Sequence, residues 1–294
     1  REDGFYEMPL PFRNGEPSLP NNRQAALHRV LSLKKQFDKK PQYFQHYTAF
    51  MKEILERGDA EKIPDSEMDV PNQWYIPHHG VYHPKKPGKV RVVFDCSARH
   101  QGVCINDHLL QGPDLINSLV GVLCRFREGP IAFTCDIEKM FHQFRVEKGH
   151  QDYLRFLWWE DGDLSKPPSD YRMKVHLFGA SSSPGCANFA LKQLAKDHRY
   201  IGEKAAEFLK EDFYVDDGLK GESSVEAAVD LLEKARLICA KGNLRLHKII
   251  SNNAEVMKSV PESERGNAVP TNLETDHGDS AIERALGLQW CMES

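Results

Sequence analysis

The stretch 211-EDFYVDDGLKG-221 decides the fold. An apolar run, Phe213-Tyr214-Val215, leads into two adjacent carboxylates, Asp216 and Asp217, then Gly218 and a short outgoing segment, Leu219-Lys220-Gly221. Asp-Gly between apolar flanks is a strong short-range hairpin signal. The motif therefore predicts a hairpin carrying two negative charges side by side at its tip. Two readings of those charges are open. One is a solvated turn, where Asp is favoured because its side chain bonds nearby backbone. The other is part of a divalent-cation site, because hard cations take carboxylate oxygen and draw it from more than one segment. A further carboxylate in a suitable context separates the two.

Asp136 supplies that context. It directly follows Ile131 to Cys135 (IAFTC), a short continuous apolar run with the signature of a buried strand, so its side chain lies at a strand's end. A helical stretch, IEKMFHQF, comes next. One Asp at a strand end beside a hairpin tip with two is the cluster that two-metal phosphoryl transfer uses. Two cations ~4 Å apart activate the attacking oxygen and stabilise the leaving one in an in-line displacement. Spacing alone does not bring Asp136 to Asp216.

The rest of the chain fits a folded protein around these motifs. At 294 residues it can hold one large domain or two, and 40% hydrophobic with 28% charged residues reads as globular. No apolar run approaches the ~18 residues of a membrane span, and no signal peptide opens the chain. Seven cysteines, an odd number with no C-x-x-C pair, argue against a disulfide framework and a zinc ribbon. The net charge of -4 is unevenly spread: from Ser251 onward eight acids meet three bases, -5, leaving +1 for residues 1–250. Lys85, Lys86, Lys89, Arg91 and Arg99 form a basic cluster opposed only by Asp95, either a phosphate-contacting stripe or a solvated face.

Periodicity supplies the elements. Residues 1–70 read as an extended lead-in and two helices, the first capped by Asn21 or Asn22 and the second opened by Pro41. His78, His79 and His83 read as loop residues, without a cysteine or acid at ligand spacing. Lys89 to Asp95 (KVRVVFD) is strand-like, and Asp114 to Arg127 has one apolar helical face. Tyr153 to Trp159 and Tyr171 to Leu177 flank a turn and predict a hairpin, and Pro184 opens a helix. Ser223 with Glu226 makes a capping box for a helix closed by Gly242. Residues 259–281 predict a flexible loop, and Ala285 to Trp290 (ALGLQW) a last strand. The interleaving predicts an α+β class around a largely antiparallel sheet.

These segments together resemble the reverse transcriptase domain of a BEL/Pao-class LTR retrotransposon Pol polyprotein. KVRVVFDCSARHQGVCINDHLLQGPDL is similar to the class's fingers segment, FTCDIEKMFHQFRV to polymerase motif A, LFGASSSPGCANFAL to motif B and FYVDDGL to motif C. GNLRLHKIISN resembles motif D and ALGLQW the primer grip. The resemblance implies a right-hand polymerase, with fingers over 71–109 and 145–182 and a ferredoxin-like antiparallel palm over 110–144 and 183–290. The resemblance also implies that the thumb is missing from this chain, with thumb, connection and RNase H segments expected downstream of Ser294 in a full-length polyprotein.

Residue roles follow from the same resemblance. Asp136 and Asp216 become the principal ligands of two Mg²⁺ or Mn²⁺ ions, with the Ile137 carbonyl and Asp217 as further candidates. Arg91 matches the fingers arginine on the incoming triphosphate, supported by Lys89 or Lys86. Phe141 matches the aromatic against the sugar's 2′ position, and Gly179, Ser183 and Pro184 shape the loop beneath the nascent base pair. Lys248 matches the motif D lysine, and Gln289 and Trp290 lie along the primer. Two departures stand out: Phe178, where many retroviral enzymes carry glutamine, and Ile249, where the class has tryptophan.

The expected activity is RNA- and DNA-directed DNA polymerisation, with dNTPs and an RNA or DNA template-primer as partners and no membrane. An intracellular, cytoplasmic or nuclear setting follows, within a virus-like particle for a complete element. The alternatives are a co-opted nucleic-acid-binding module that retains the fold, and a metal-dependent phosphohydrolase on the same carboxylates.

Overall fold

A computed structural model of the protein describes residues 4–83, 86–266, 282–285 and 288–291. The chain divides into two compact units. One comprises Arg1–Phe5, Asp114–Met140 and Ala187–Ser294; the other comprises Tyr6–Pro113 and Phe141–Cys186. Both mix helices with mainly antiparallel strands, so the class is α+β as the interleaving predicts. Among the described residues no helix is long and apolar enough to cross a membrane.

The first unit is built on a four-stranded antiparallel sheet. In chain order its strands are Ile131–Ile137, Phe213–Tyr214, Asp217–Glu222 and Leu246–Ser251. Across the sheet they run fourth, first, third, second. Helix Glu203–Glu211 and most of helix Ser183–Asp197 lie between the first two strands in sequence, and helix Val225–Lys241 joins the last two. This βαββαβ order is ferredoxin-like. Strand Ile131–Ile137 is apolar because it sits centrally, with Phe133, Cys135 and Ile137 all buried. Helix Val225–Lys241 buries Ala228, Leu231, Leu232, Ala235, Ile238 and Cys239, a stripe at helical spacing. Each fully buried leucine contributes about 1.5–3 kcal/mol. Phe208 packs edge-on against Phe133, at 5.5 Å between ring centroids, and tilted against Phe213 at 5.1 Å.

The second unit holds helices Arg23–Lys39 and Pro41–Glu56, with Pro41 at the first turn where its missing N–H costs nothing. Asn22 caps by position only. Its side-chain amide instead makes two hydrogen bonds with the Tyr75 backbone. Strand Lys86–Phe94 pairs antiparallel with His78–His83, and a second sheet runs Ala60–Lys62, Ser169–Met173, Arg155–Trp158. The core is strongly aromatic, with Tyr47 stacked on Trp158 and Phe94 edge-on to Phe156. Buried Arg155 and Arg172 share Asp152, so neither charge lacks a partner.

The structure departs from several of these expectations. His78, His79 and His83 belong to a strand rather than a loop, and His78 is buried between the Tyr47 hydroxyl and the Leu157 carbonyl. The helix read over 114–127 covers only Leu119–Phe126, capped by the Ser118 hydroxyl. Upstream, the Asp114 carboxylate accepts the Ile116 N–H, a local bond that competes with helix. IEKMFHQF forms only a short 3₁₀ turn, Met140–Gln143, because Lys139 takes a positive φ of 50°. The cap of helix Val225–Lys241 is Ser224, one residue later than the pattern suggests. Within the loop read over 259–281, residues 267–281 lie outside the described residues. Its first part is tied to the sheet, since Gly266 N–H donates to the Ile249 carbonyl.

Candidate active site

Strand pairing brings the acids of the first unit together. Asp136 sits directly opposite Asp217 on one side and His247 on the other. Residues directly opposite in a sheet point to the same face, so these three side chains form a row. The hairpin closes with Tyr214 opposite Asp217, which leaves Val215 and Asp216 as its two turn residues. The turn therefore lies immediately before Asp-Gly rather than on it, and Asp217 belongs to the outgoing strand. The Ile137 N–H donates to the Asp216 carbonyl at 2.9 Å, fastening the turn to the strand end beside Asp136.

Gly218 has a packing reason rather than a turning one. A Cβ there would lie 2.5 Å from the Phe213 ring and 2.8 Å from the Cys135 sulfur. Only glycine lets the two strands close at this point, and their closure sets Asp217 against Asp136.

Both oxygens of the Asp136 carboxylate are engaged. His247 Nε2 lies 2.7 Å from Oδ1, and Lys248 Nζ donates to Oδ2 at 2.6 Å. Two consecutive residues of a regular strand face opposite ways. Here the pairing register breaks between His247 and Ile250, and Lys248 takes a φ of 50°. That bulge turns Lys248 back to the face of His247. The Asp217 carboxyl is pushed up to about 6 by its burial and by the charges of Asp216 and Asp136, against the opposing pull of Lys248.

Asp136 and Asp217 share one face, and burial together with the charges of Asp216 and Asp136 drives the Asp217 carboxyl toward protonation. Among the described residues no group of three or more His, Cys, Asp or Glu is placed so as to hold a metal ion. Lys248 reaches the same carboxylate through the bulge, whereas His247 stands opposite Asp136 in regular register, a cross-strand pairing that the local sequence does not display.

The second unit carries the remaining candidates. In KVRVVF, Val90, Val92 and Phe94 are buried, which puts Lys89 and Arg91 on the exposed face of strand Lys86–Phe94. The Arg91 guanidinium carbon lies 4.3 Å from the centroid of the Phe178 ring. Phe178 in turn meets Phe141 edge-on, with centroids 5.5 Å apart. Gly179 follows with a φ of 110°, a conformation few other residues adopt. The Asn106 side chain pins this loop, donating to the Gly179 carbonyl at 3.0 Å and accepting the Ser181 N–H at 2.9 Å. Ser183 and Pro184 begin helix Ser183–Asp197, and the buried hydroxyls of Ser181, Ser182 and Ser183 find no partner among the described residues.

Lys86 lies in the same strand as Arg91, and its side chain is outside the described residues. Gln289 and Trp290 lie in strand Leu288–Cys291, opposite Arg284 and Glu283 of strand Ile282–Ala285; their side chains too are outside the described residues.

No protein-family model and no curated protein matches the chain. Among solved structures, the selenomethionine-labelled CSH mutant of prototype foamy virus protease-reverse transcriptase is similar over 81% of this chain and 26% of its own, with a TM-score of 0.52 and 16% identity. The foamy viral enzyme solved with an RNA/DNA hybrid gives 0.49 over 67% of this chain and 22% of its own, at 17% identity. A foamy viral protease-reverse transcriptase complex with double-stranded DNA gives 0.49 over 66% and 28%, at 19% identity. The chain thus spans between 22% and 28% of the length of these proteins. Its fold is reverse transcriptase-like.

Proposed function

We propose that this chain is the nucleotidyl-transfer core of a BEL/Pao-class retrotransposon reverse transcriptase, an RNA- and DNA-directed DNA polymerase. The observation that carries the reading is the row of Asp136 and Asp217 on adjacent strands, with Asp216 fastened to the same strand end. The fold-level likeness to the foamy virus enzyme supports it. On this reading the unit carrying the carboxylates is the palm and the unit carrying Arg91 is the fingers.

Asp136 and Asp216, helped by the Ile137 carbonyl and Asp217, would hold two Mg²⁺ or Mn²⁺ ions. When bound, such ions activate a primer 3′-hydroxyl and stabilise the leaving pyrophosphate. The other steps belong to side chains. His247 holds the Asp136 carboxylate in orientation through Oδ1. Lys248, bound to the same carboxylate, would serve as the acid for the departing pyrophosphate. Arg91 grips the triphosphate of a dNTP with its planar fork, with Lys89 and Lys86 adding charge. Phe141 lies against C2′ and excludes a hydroxyl by clash rather than by better contact to deoxyribose. Gly179, Ser183 and Pro184 shape the floor under the nascent pair, and Gln289 and Trp290 guide the primer.

The test is primer extension on poly(rA)/oligo(dT) with Mg²⁺ or Mn²⁺, beside a nuclease control. Asp136→Asn removes one charge while nearly keeping shape, and extension should fall by several orders of magnitude, each factor of ten being ~1.4 kcal/mol of transition-state stabilisation. Asp217→Asn should be milder. Extension at the wild-type rate by Asp136→Asn would reject the two-metal reading.

A further inference from the structure

The second unit contains a three-part stack whose middle member no role above accounts for. Phe178 contacts both the Arg91 guanidinium and, in an edge-to-face arrangement, the Phe141 ring. It is 49% exposed, so its ring is not simply filling a core. The loop beneath it is fixed by the positive φ of Gly179 and the two Asn106 hydrogen bonds, so the ring is presented rather than free to swing.

Arg91 also needs a support. It lies on the exposed face of a hairpin strand, and among the described residues no carboxylate pairs with its guanidinium. A long side chain in that position retains most of its rotamer freedom, which is lost on gripping an anion. A guanidinium parked on an aromatic face keeps its N–H donors, which lie in the plane of the group, while its range of motion narrows. The stack therefore organises the arginine without consuming its phosphate-binding capacity, which a salt bridge would do.

We propose that Phe178 is the positioning residue of the nucleotide site: its ring holds Arg91 ready for the polyphosphate of a nucleoside triphosphate and braces Phe141, so that phosphate grip and sugar discrimination depend on one aromatic contact. The proposal rests on the polymerase reading for the identity of the ligand. Loss of the ring should weaken phosphate binding through Arg91 and loosen the Phe141 gate, while a larger aromatic should preserve both.

The experiment is a double-mutant cycle on the full chain, with inorganic tripolyphosphate as the calorimetric probe. Phe178→Leu should weaken binding about five- to tenfold, the size of a partly desolvated cation–π contact. Phe178→Trp should stay within about twofold of wild type, and adding Phe178→Leu to Arg91→Ala should cost nothing further. Where extension is measurable, Phe178→Leu should also raise the KM for dTTP and admit UTP more readily, with kcat for dTTP little changed. A purely structural role predicts a lower melting temperature with additive binding losses, and that result overturns the proposal. So does an unchanged Phe178→Leu affinity, or an absence of tripolyphosphate binding to the wild type. The probe needs neither base nor catalysis. Coupling that persists in a chain unable to extend a primer would reject the polymerase reading alone, and normal extension without coupling would reject the role of Phe178 alone.

Discussion

The Asp136 carboxylate is held at both oxygens, and its partners differ in what they can exchange. Half-buried His247 makes a hydrogen bond to a charged acceptor, a class worth about 1.5–3 kcal/mol. His247→Ala should slow extension about tenfold, while His247→Gln, which keeps a donor, should recover much of the rate; equal losses in single-turnover assays would show that the contact does not orient Asp136. Gly218→Ala adds a methyl with 2.5 Å of room to the Phe213 ring. Overpacking of that kind costs about 1–3 kcal/mol, so its urea midpoint should fall and extension should suffer with it. Legibility at this scale was uneven. The acids show in the sequence because their neighbours are apolar or turn-forming, and Lys248 through the motif D resemblance, whereas His247 depends on a cross-strand register that only the packed sheet reveals.

Among elements, the hairpin turn carries the clearest stored strain. Val215 takes a φ of 59°, which a β-branched residue adopts only under tertiary constraint. Val215→Asn, tolerant of that region, should stabilise the fold by about 1 kcal/mol and raise Tm by about 2–4 °C. A lower Tm would mean that the valine side chain contributes more by packing than it loses by strain. The same turn explains a misreading. Asp-Gly carries the local hairpin preference, yet the pairing of Tyr214 with Asp217 puts the turn two residues earlier, at Val215-Asp216, and Gly218 serves close packing instead. The strand Ile131–Ile137 was legible from its continuous apolar run. The start of the helix at Leu119 was not, since Asn117 spends its side chain on the Lys210 and Phe213 carbonyls rather than on a helix end.

For the whole molecule, acid stability should be set by the second unit. Burial pushes His78 and His176 down from 6.5 to about 4. Each therefore folds neutral, and its contribution is complete above pH ~6.5 and lost as pH falls toward 4. At pH 5 the loss is roughly 2 kcal/mol per histidine by linkage. The ring nitrogens of His176 have no partner among the described residues, so His176→Leu should unfold with a smaller pH dependence between 7.5 and 5 in urea titrations. A variant with the full wild-type slope would assign the acid sensitivity elsewhere. The α+β class could be read from interleaved periodicities. Composition does not mark the last boundary between the two units, since Cys186 and Ala187 both lie inside helix Ser183–Asp197.

Asp136 and His247 are 111 residues apart in sequence, yet they face each other across adjacent strands. On a ribosome adding roughly 5–20 residues per second, about 6–22 s separate the synthesis of the two. Throughout that interval the apolar strand Ile131–Ile137 has been made while the strand for its second edge has not. Unpaired edges of this kind invite association with other chains. Slowing translation between Met140 and Leu246 should therefore raise the yield of aggregate, and a holding chaperone should lower it again.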